Sequence, residues 1–324
     1  MEYSEKCFNA AERIGSVELM AQIARYVCLM HCMTGNALKV VDISRRTLPL
    51  LEERHREKDL YDSGGNVYSA ISGYCGMSLG FLGEFAEGKI VLGNGLQTVW
   101  KTDNRLDIGW VEINHTALSF WEGDGDSTVD HARKAIKCIE EAGFEFIVGF
   151  AWMMLGAGYY LQGEYEIARE HVDKGFRIQE KIDLPFQKAW GSWFLATILC
   201  AVGDPMRARE CAEKSLTLAQ EHKIKNVEGI VWMLFGSIKG KMNPAYIDEA
   251  QHQIRKGITI VEELSQRPLA ALGYLLSGEL FSDAGRKKEA LENLKKAEAM
   301  YLEMKVTPKS YWLKRTQEAL AKLE

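Results

Sequence analysis

Apolar residues recur along this chain at steps of three and four over long windows, with polar residues filling the gaps. That spacing gathers apolar side chains on one face of a helix with 3.6 residues per turn. Runs of β-branched residues alternating with polar ones, the mark of a half-buried strand, are almost absent, and proline occurs only six times. The pattern predicts an all-α protein.

The helical pattern repeats. "AREHVDKGFRIQEKI" from Ala168, "ARECAEKSLTLAQEH" from Ala208, "AQHQIRKGITIVEEL" from Ala250 and "ALENLKKAEAMYLEM" from Ala290 align without gaps, their first alanines 40, 42 and 40 residues apart. Six residues after each alanine stands a lysine (Lys174, Lys214, Lys256, Lys296), and next to it a small residue (Gly175, Ser215, Gly257, Ala297). A second helix precedes each alanine: "WMMLG" at Trp152–Gly156 returns as "WMLFG" at Trp232–Gly236, and "YLLSG" fills the same place at Tyr274–Gly278. Short turns such as "QGEYEIA" and "VGDPMRA" separate the two helices; glycine there closes one helix and Pro205 suits the first turn of the next. Self-similarity at a fixed period signals a solenoid of helix pairs, each burying its apolar face on its neighbours. Small residues at fixed places let the two helices of a pair approach closely.

Trp152, Leu155, Gly156, Tyr159, Ala168 and Gly175 fall at the spacing of the tetratricopeptide repeat signature, which this region resembles. The period is longer than the usual 34 residues. In that respect the chain is similar to the helical arrays at the C-terminus of bacterial signalling ATPases, nucleotide cyclases and LuxR-type activators. The match is strongest from about residue 145 to 304 and weaker upstream. The resemblance implies a right-handed superhelix of antiparallel helix pairs. One domain is expected over 1–324: an orphan or capping helix over 1–16, about seven pairs over 17–304, and a C-terminal capping helix over 305–324. The opening "YSEKCFNAAERIG" reads like the second helix of a unit lacking its first, so a piece of a longer protein or an orphan cap is expected.

Composition narrows the function. Apolar residues make up 47% of the chain and charged residues 26%, and the net charge of −5 argues against a nucleic-acid binder, which needs a basic surface. No apolar run is long enough to span a membrane, and no secretory signal opens the chain. Seven scattered cysteines suggest free thiols and a cytoplasmic location.

Three stretches suggest chemistry. "GEFAEGKI", Gly83–Ile90, approaches a phosphate-binding loop, but Ile90 stands where a Ser or Thr must ligate Mg²⁺, and no strand precedes it. Aligned on the repeat, Gly83 is a turn glycine, Gly88 takes the alanine position and Lys89 is a surface residue of that turn. "CLMHC" places Cys28 and Cys32 one helical turn apart beside His31, yet supplies too few ligands for a structural zinc site, and core thiols are the expectation. "GDGDSTVD" lacks the calcium-loop glycine and glutamate, with Val129 and Ala135 in their places. It is read as a helix start, with Ser127 or Thr128 as N-cap and Asp130 in the first turn. No metal, cofactor or catalytic cluster is expected.

The resemblance also implies that first helices line the concave face. Carried onto this chain, its inner positions are Trp110, Phe120, Phe150, Met153, Tyr160, Trp190, Trp193, Ile230 and Met233, with Trp121 beside Phe120. Trp152 and Trp232 fall at the core step between the paired helices. The expected function is a non-enzymatic scaffold or sensor that holds a protein or peptide with an apolar or aromatic segment, as the regulatory part of a larger signalling or transcription-control protein. A helical enzyme or nucleotide-binding protein is the alternative. The inner rings could also be covered by a second copy, or by the array closing on itself.

Overall fold

The computed structural model describes residues 2–61, 64–179, 182 and 184–323. Among the described residues there are sixteen α-helices and no strand. Helix α1 (Glu2–Ile14) leads into seven pairs: α2 (Val17–Thr34) with α3 (Ala37–Glu53), α4 (Val67–Leu82) with α5 (Phe85–Trp100), α6 (Arg105–Glu122) with α7 (Gly125–Glu141), α8 (Glu145–Leu161) with α9 (Tyr165–Gln179), α10 (Pro185–Ala201) with α11 (Pro205–Glu221), α12 (Lys225–Met242) with α13 (Ile247–Glu263), and α14 (Arg267–Asp283) with α15 (Lys287–Glu303). Helix α16 (Tyr311–Ala321) follows. Two to four residues connect the partners of each pair, so they run antiparallel.

The turns lie where the repeat puts them. Ala168, Ala208, Ala250 and Ala290 are each the fourth residue of a second helix, and each is fully buried. Gly83 ends α4 in the left-handed conformation (φ 82°), and Gly163 adopts φ 81° after α8.

Small residues set how closely partners approach. A Cβ on Gly175 would lie 2.5 Å from the Gly149 carbonyl oxygen, and one on Gly156 would lie 2.6 Å from that of Ala168. Two periods on, Gly257 meets the Gly229 carbonyl at 2.3 Å and Gly236 that of Ala250 at 2.4 Å. In the unit between, Ser215 Oγ donates to the Ala189 carbonyl at 2.7 Å instead. The recurring lysine also has a partner: Nζ of Lys174, Lys256 and Lys296 lies 3.3, 3.6 and 3.9 Å from the ring centres of Trp152, Trp232 and Tyr274. A cation over an aromatic face is attracted by the ring quadrupole. Trp152 and Trp232 are thus half-buried rings capped by a lysine, rather than ordinary core. Lys214 shares a groove with Ser192, which stands in the ring's place.

The array curls until its first units touch its last. The Gly35 carbonyl, just past α2, accepts from Gln266 Nε2 at 2.7 Å across 231 residues of sequence. Gly83 packs against Met304 beyond α15. Past α6, the Gly123 carbonyl accepts from Tyr311 N at 2.9 Å, and the Phe120 carbonyl from Trp312 Nε1 at 2.9 Å. The first helices therefore enclose a partly filled inner space.

Two glycines in helices should respond oppositely to alanine. At Gly175 the new Cβ meets backbone atoms that cannot yield, so overpacking should cost about 1–3 kcal/mol. At Gly93, exposed on α5 with nothing within 4 Å, the same change should stabilise by about 1 kcal/mol through helix propensity. Urea denaturation measures both, and a Gly175→Ala protein as stable as the wild type would refute the close crossing of α8 and α9.

Candidate functional site

Two chambers occupy the inner face. The first encloses about 440 Å³ between α2, α4, α6, α8 and α10. Each helix contributes one stripe at three- and four-residue steps, such as Ala70, Tyr74, Met77 and Phe81 on α4, and Trp110, Asn114, Ala117 and Trp121 on α6. Polar groups are few. Asp107 Oδ2 accepts from Asn66 N at 2.9 Å, and burial raises this carboxyl above the usual range while that hydrogen bond opposes the rise. Asn114 is buried, with Nδ2 donating to the Trp110 carbonyl at 2.7 Å.

The second chamber, about 800 Å³, lies at the C-terminal ends of α8 and α10, against α12, α14 and α16. It is polar. Arg315 binds Glu279 through two 2.7 Å hydrogen bonds and lies 3.4 Å from Tyr160 Oη. Burial pulls the guanidinium down, but Glu279 and Tyr160 hold it above its ordinary value. Between the chambers runs a shelf of rings: Phe81 to Trp121 (5.8 Å between centroids), Trp121 stacked on Trp193 (6.0 Å), Trp193 to Phe120 (6.4 Å), and Phe120 to Trp312 (5.7 Å).

The inner positions expected from the repeat divide between these places. Trp110 and Phe150, both half-buried, line the apolar chamber, as do the edges of Trp121 and Trp190. Tyr160, Trp193 and Ile230 line the polar chamber. Phe120, Met153 and Met233 line neither. Phe120 is sealed beneath Trp312 at 1% exposure. Met153 is fully buried in the space left by Gly175 and Gly191, and Met233 in that left by Gly257 and Gly273. A glycine on one helix makes a hole, and the methionine opposite fills it.

Sequence reasoning missed Phe144, Phe146 and Phe186, which also line the apolar chamber, the first two 41% and 46% exposed. The signal was present. Helix α8 begins at Glu145, one turn before the place a 34-residue repeat implies, so Phe146 extends the stripe of Phe150 and Met154.

The three suggestive stretches resolve into structure. Lys89 lies within α5, not in the turn, and its Nζ is 2.8 and 2.7 Å from the two carboxylate oxygens of Glu122, which is 5% exposed. Asp124, rather than Ser127 or Thr128, caps α7, its carboxylate accepting from Ser127 N at 3.0 Å. Cys28 and Cys32 are buried beside Ser44 and Ser78, while His31 Nε2 faces Glu5 at 3.0 Å. Of the thiols lining the chambers, Cys32 is pushed well above its usual pKa by burial and Cys200 up to about 11. Both are protonated at neutral pH and poor nucleophiles. Among the described residues no group of three His, Cys, Asp or Glu side chains is placed to hold a metal.

No protein-family model matches the chain, and no curated protein matches it in sequence. Solved structures are similar in fold. The Rap conjugation gene regulator of the plasmid pLS20, in complex with the Phr* peptide, superposes with a TM-score of 0.65 at 12% identity, over 94% of this chain and 74% of its own. A Rap protein complexed with Competence and Sporulation Factor gives 0.57 at 9% identity, over 94% and 98%. A signal transduction ATPase with a tetratricopeptide repeat sensor, from Pyrococcus horikoshii, gives 0.52 at 15% identity, over 87% of this chain but 42% of its own. At these identities the likeness shows the fold: a tetratricopeptide-type helical array.

Two measurements follow from the geometry. Lys89→Ala should cost about 1–3 kcal/mol, because it strands a buried carboxylate, while ATP with Mg²⁺ should leave the melting temperature unchanged. A saturable ATP shift abolished by Lys89→Ala would restore the nucleotide reading. Trp193→Ala should cost about 3–5 kcal/mol, as core aromatic truncations do, and Phe146→Ala much less. Equal, small losses from the two would mean the shelf is not packed.

Proposed function

We propose that this chain is a non-enzymatic peptide-binding regulatory module, and that its apolar chamber takes an apolar or aromatic segment of a peptide or protein. The chamber itself carries the reading: an open, ring-lined cavity with few polar groups is the usual form of a specific binding site. Half-exposed Phe144 and Phe146 at its edge are anchors of the kind that dominate interfaces. The Phr* peptide bound to the Rap conjugation gene regulator supports a peptide as the class of partner.

Occupancy reaches the rest of the array because the walls come from α2 through α10, and the ends of α2 and α4 also form the seam with α12, α14 and α15. A ligand that favours one spacing of those walls biases that seam. In a longer signalling or transcription-control protein, this would pass occupancy to an attached domain. Among the described residues no helix is long and apolar enough to cross a membrane. With seven free thiols and a net charge of −5, a cytoplasmic module that binds protein rather than nucleic acid fits best.

Selection from a random peptide library on the full chain tests the proposal. Aromatic and aliphatic peptides should be enriched, and Phe146→Ala with Phe150→Ala should weaken them about tenfold or more, as loss of an anchor worth about 2 kcal/mol predicts. Recovery of peptides no more apolar than the starting library would sink the proposal.

A further inference from the structure

A helical array must cover the apolar faces at its two ends, and terminal helices with a polar outer side do so. Helix α16 meets that need, with Lys314, Gln317 and Glu318 as its exposed long side chains. The other end does not. On α1, Tyr3, Cys7, Ala10 and Ile14 follow at steps of four, three and four, and Tyr3 and Ile14 are 83% and 75% exposed. On α2, Leu19, Ile23, Tyr26 and Met30 follow at the same steps, all exposed except half-buried Ile23. Residues so spaced share one helix face. Single apolar residues on a surface are ordinary, whereas a contiguous patch marks a contact.

The two stripes adjoin, because the other sides of both helices are taken. Phe8 and Ala11 of α1 are buried, and Asn9 and Glu12 accept from Arg46 of α3. On α2, His31 Nε2 meets Glu5 of α1 at 3.0 Å, Cys28 lies beside Ser44 of α3, and Arg25, Leu29 and Met33 line the apolar chamber. With 3.6 residues per turn, the α2 stripe falls between α1 and the chamber wall, and the α1 stripe on the flank away from α3. Further along the array a first helix fills that position. Helix α9 turns the same series of steps, Ala168, Val172, Gly175 and Gln179, towards α8, and all four are buried. Among the described residues nothing stands in front of α1 and α2 in this way.

We propose that a second copy of this chain covers this face, in a two-fold dimer whose α1 and α2 helices form one bundle. Each copy presents the same unmet face, so a two-fold axis satisfies both at once. Charge selects the direction of that axis. Exposed Arg13, with no ion pair among the described residues, lies on the edge of α1 away from α2. Exposed Glu18, whose one ion pair is to Arg56 at 4.0 Å, lies on the edge of α2 away from α1. Only Gly15 and Ser16 separate the two helices, so these charges stand at one level. With the axis parallel to the helices, α2 of the second copy lies over α1 and antiparallel to it, as a first helix does, and Arg13 meets Glu18 across the interface. With the axis across the helices, the basic edges of the two α1 helices would face each other, which like charges oppose. The area suffices. Two helices about 20 Å long and about 10 Å apart present about 400 Å² per copy in plane, so the pair buries on the order of 1,000 Å², the low end for a specific interface.

Sedimentation equilibrium of the full chain from about 1 to about 100 μM should show a monomer passing into a dimer, with no larger species. Tyr26→Lys with Met30→Lys, both at exposed positions, should weaken association about a hundredfold or more, because each change acts twice across a two-fold axis. Circular dichroism and melting of the diluted variant should match the diluted wild type. Cys7 supplies a second readout, as the exposed thiol of the chain. Its alkylation should slow as the wild-type protein is concentrated and stay constant in the variant. Arg13→Glu or Glu18→Arg alone should weaken the dimer, and the two together should restore it. A chain that stays monomeric throughout this range overturns the second copy as occupant. A dimer that survives the double lysine variant, or leaves Cys7 equally reactive at every concentration, overturns the face. Failure of the charge exchange to restore association overturns the parallel axis.

Discussion

The architecture depends on how closely the two helices of a pair approach. At Gly149 with Gly175, and again at Gly229 with Gly257, a carbonyl of one helix occupies the space a side chain would need on the other. No rotamer change relieves such a clash, because the obstacle is backbone. Where the pair lacks glycine, Ser215 turns the approach into a hydrogen bond with the Ala189 carbonyl. Each pair is thereby locked at short range, and stacking locked pairs leaves little freedom in the curvature of the array. Curvature in turn decides whether the inner face is an open groove or an enclosed space.

Here it encloses. The contacts that close the array are few and mostly polar: Gln266 to the Gly35 carbonyl, Tyr311 N to the Gly123 carbonyl, Trp312 to the Phe120 carbonyl. Two of them use carbonyls just past helix C-terminal ends, Gly35 and Gly123, which have no partner within their own helix, whereas the Phe120 carbonyl also accepts from Gly123 N at 3.0 Å. Closure thus satisfies groups that would otherwise need water, and its apolar component comes from rings brought together between the chambers. Phe81, Trp121, Trp193, Phe120 and Trp312 arise from four helices separated by as much as 231 residues of sequence (312 minus 81), yet they form one chain of contacts.

That distance explains what could be read from the sequence. The period, the turn glycines, the buried alanines and the small residues at the crossings are local, and each recurs, so every unit reports on the others. Lys174 and Lys256 were visible as a recurring position, though not as caps on Trp152 and Trp232, because a cation–π contact leaves no spacing of its own. The inner residues were half legible. Trp110 and Phe150 do line a cavity, whereas Met153 and Met233 are covered by glycines of neighbouring helices. A borrowed 34-residue register also starts each first helix a turn too late, which hid Phe146 and Phe186. Closure leaves no periodic trace at all: nothing near Gly35 announces Gln266.

Closure also divides the inner surface by chemistry. Had the array remained open, one continuous face would run along the first helices, apolar rings near their starts and charged residues near their ends. The ring shelf separates these into two volumes with different solvation. A ligand part entering the first must shed water and find few hydrogen-bond partners, which favours apolar side chains and penalises charge. A ligand part entering the second meets acids, lysines and hydroxyls beside the fixed pair Arg315–Glu279, where polar groups find partners. Selectivity under the proposed function then comes from exclusion as much as attraction. A charged segment entering the first chamber would lose its water against a wall whose charged side chains are Arg25 and Asp107.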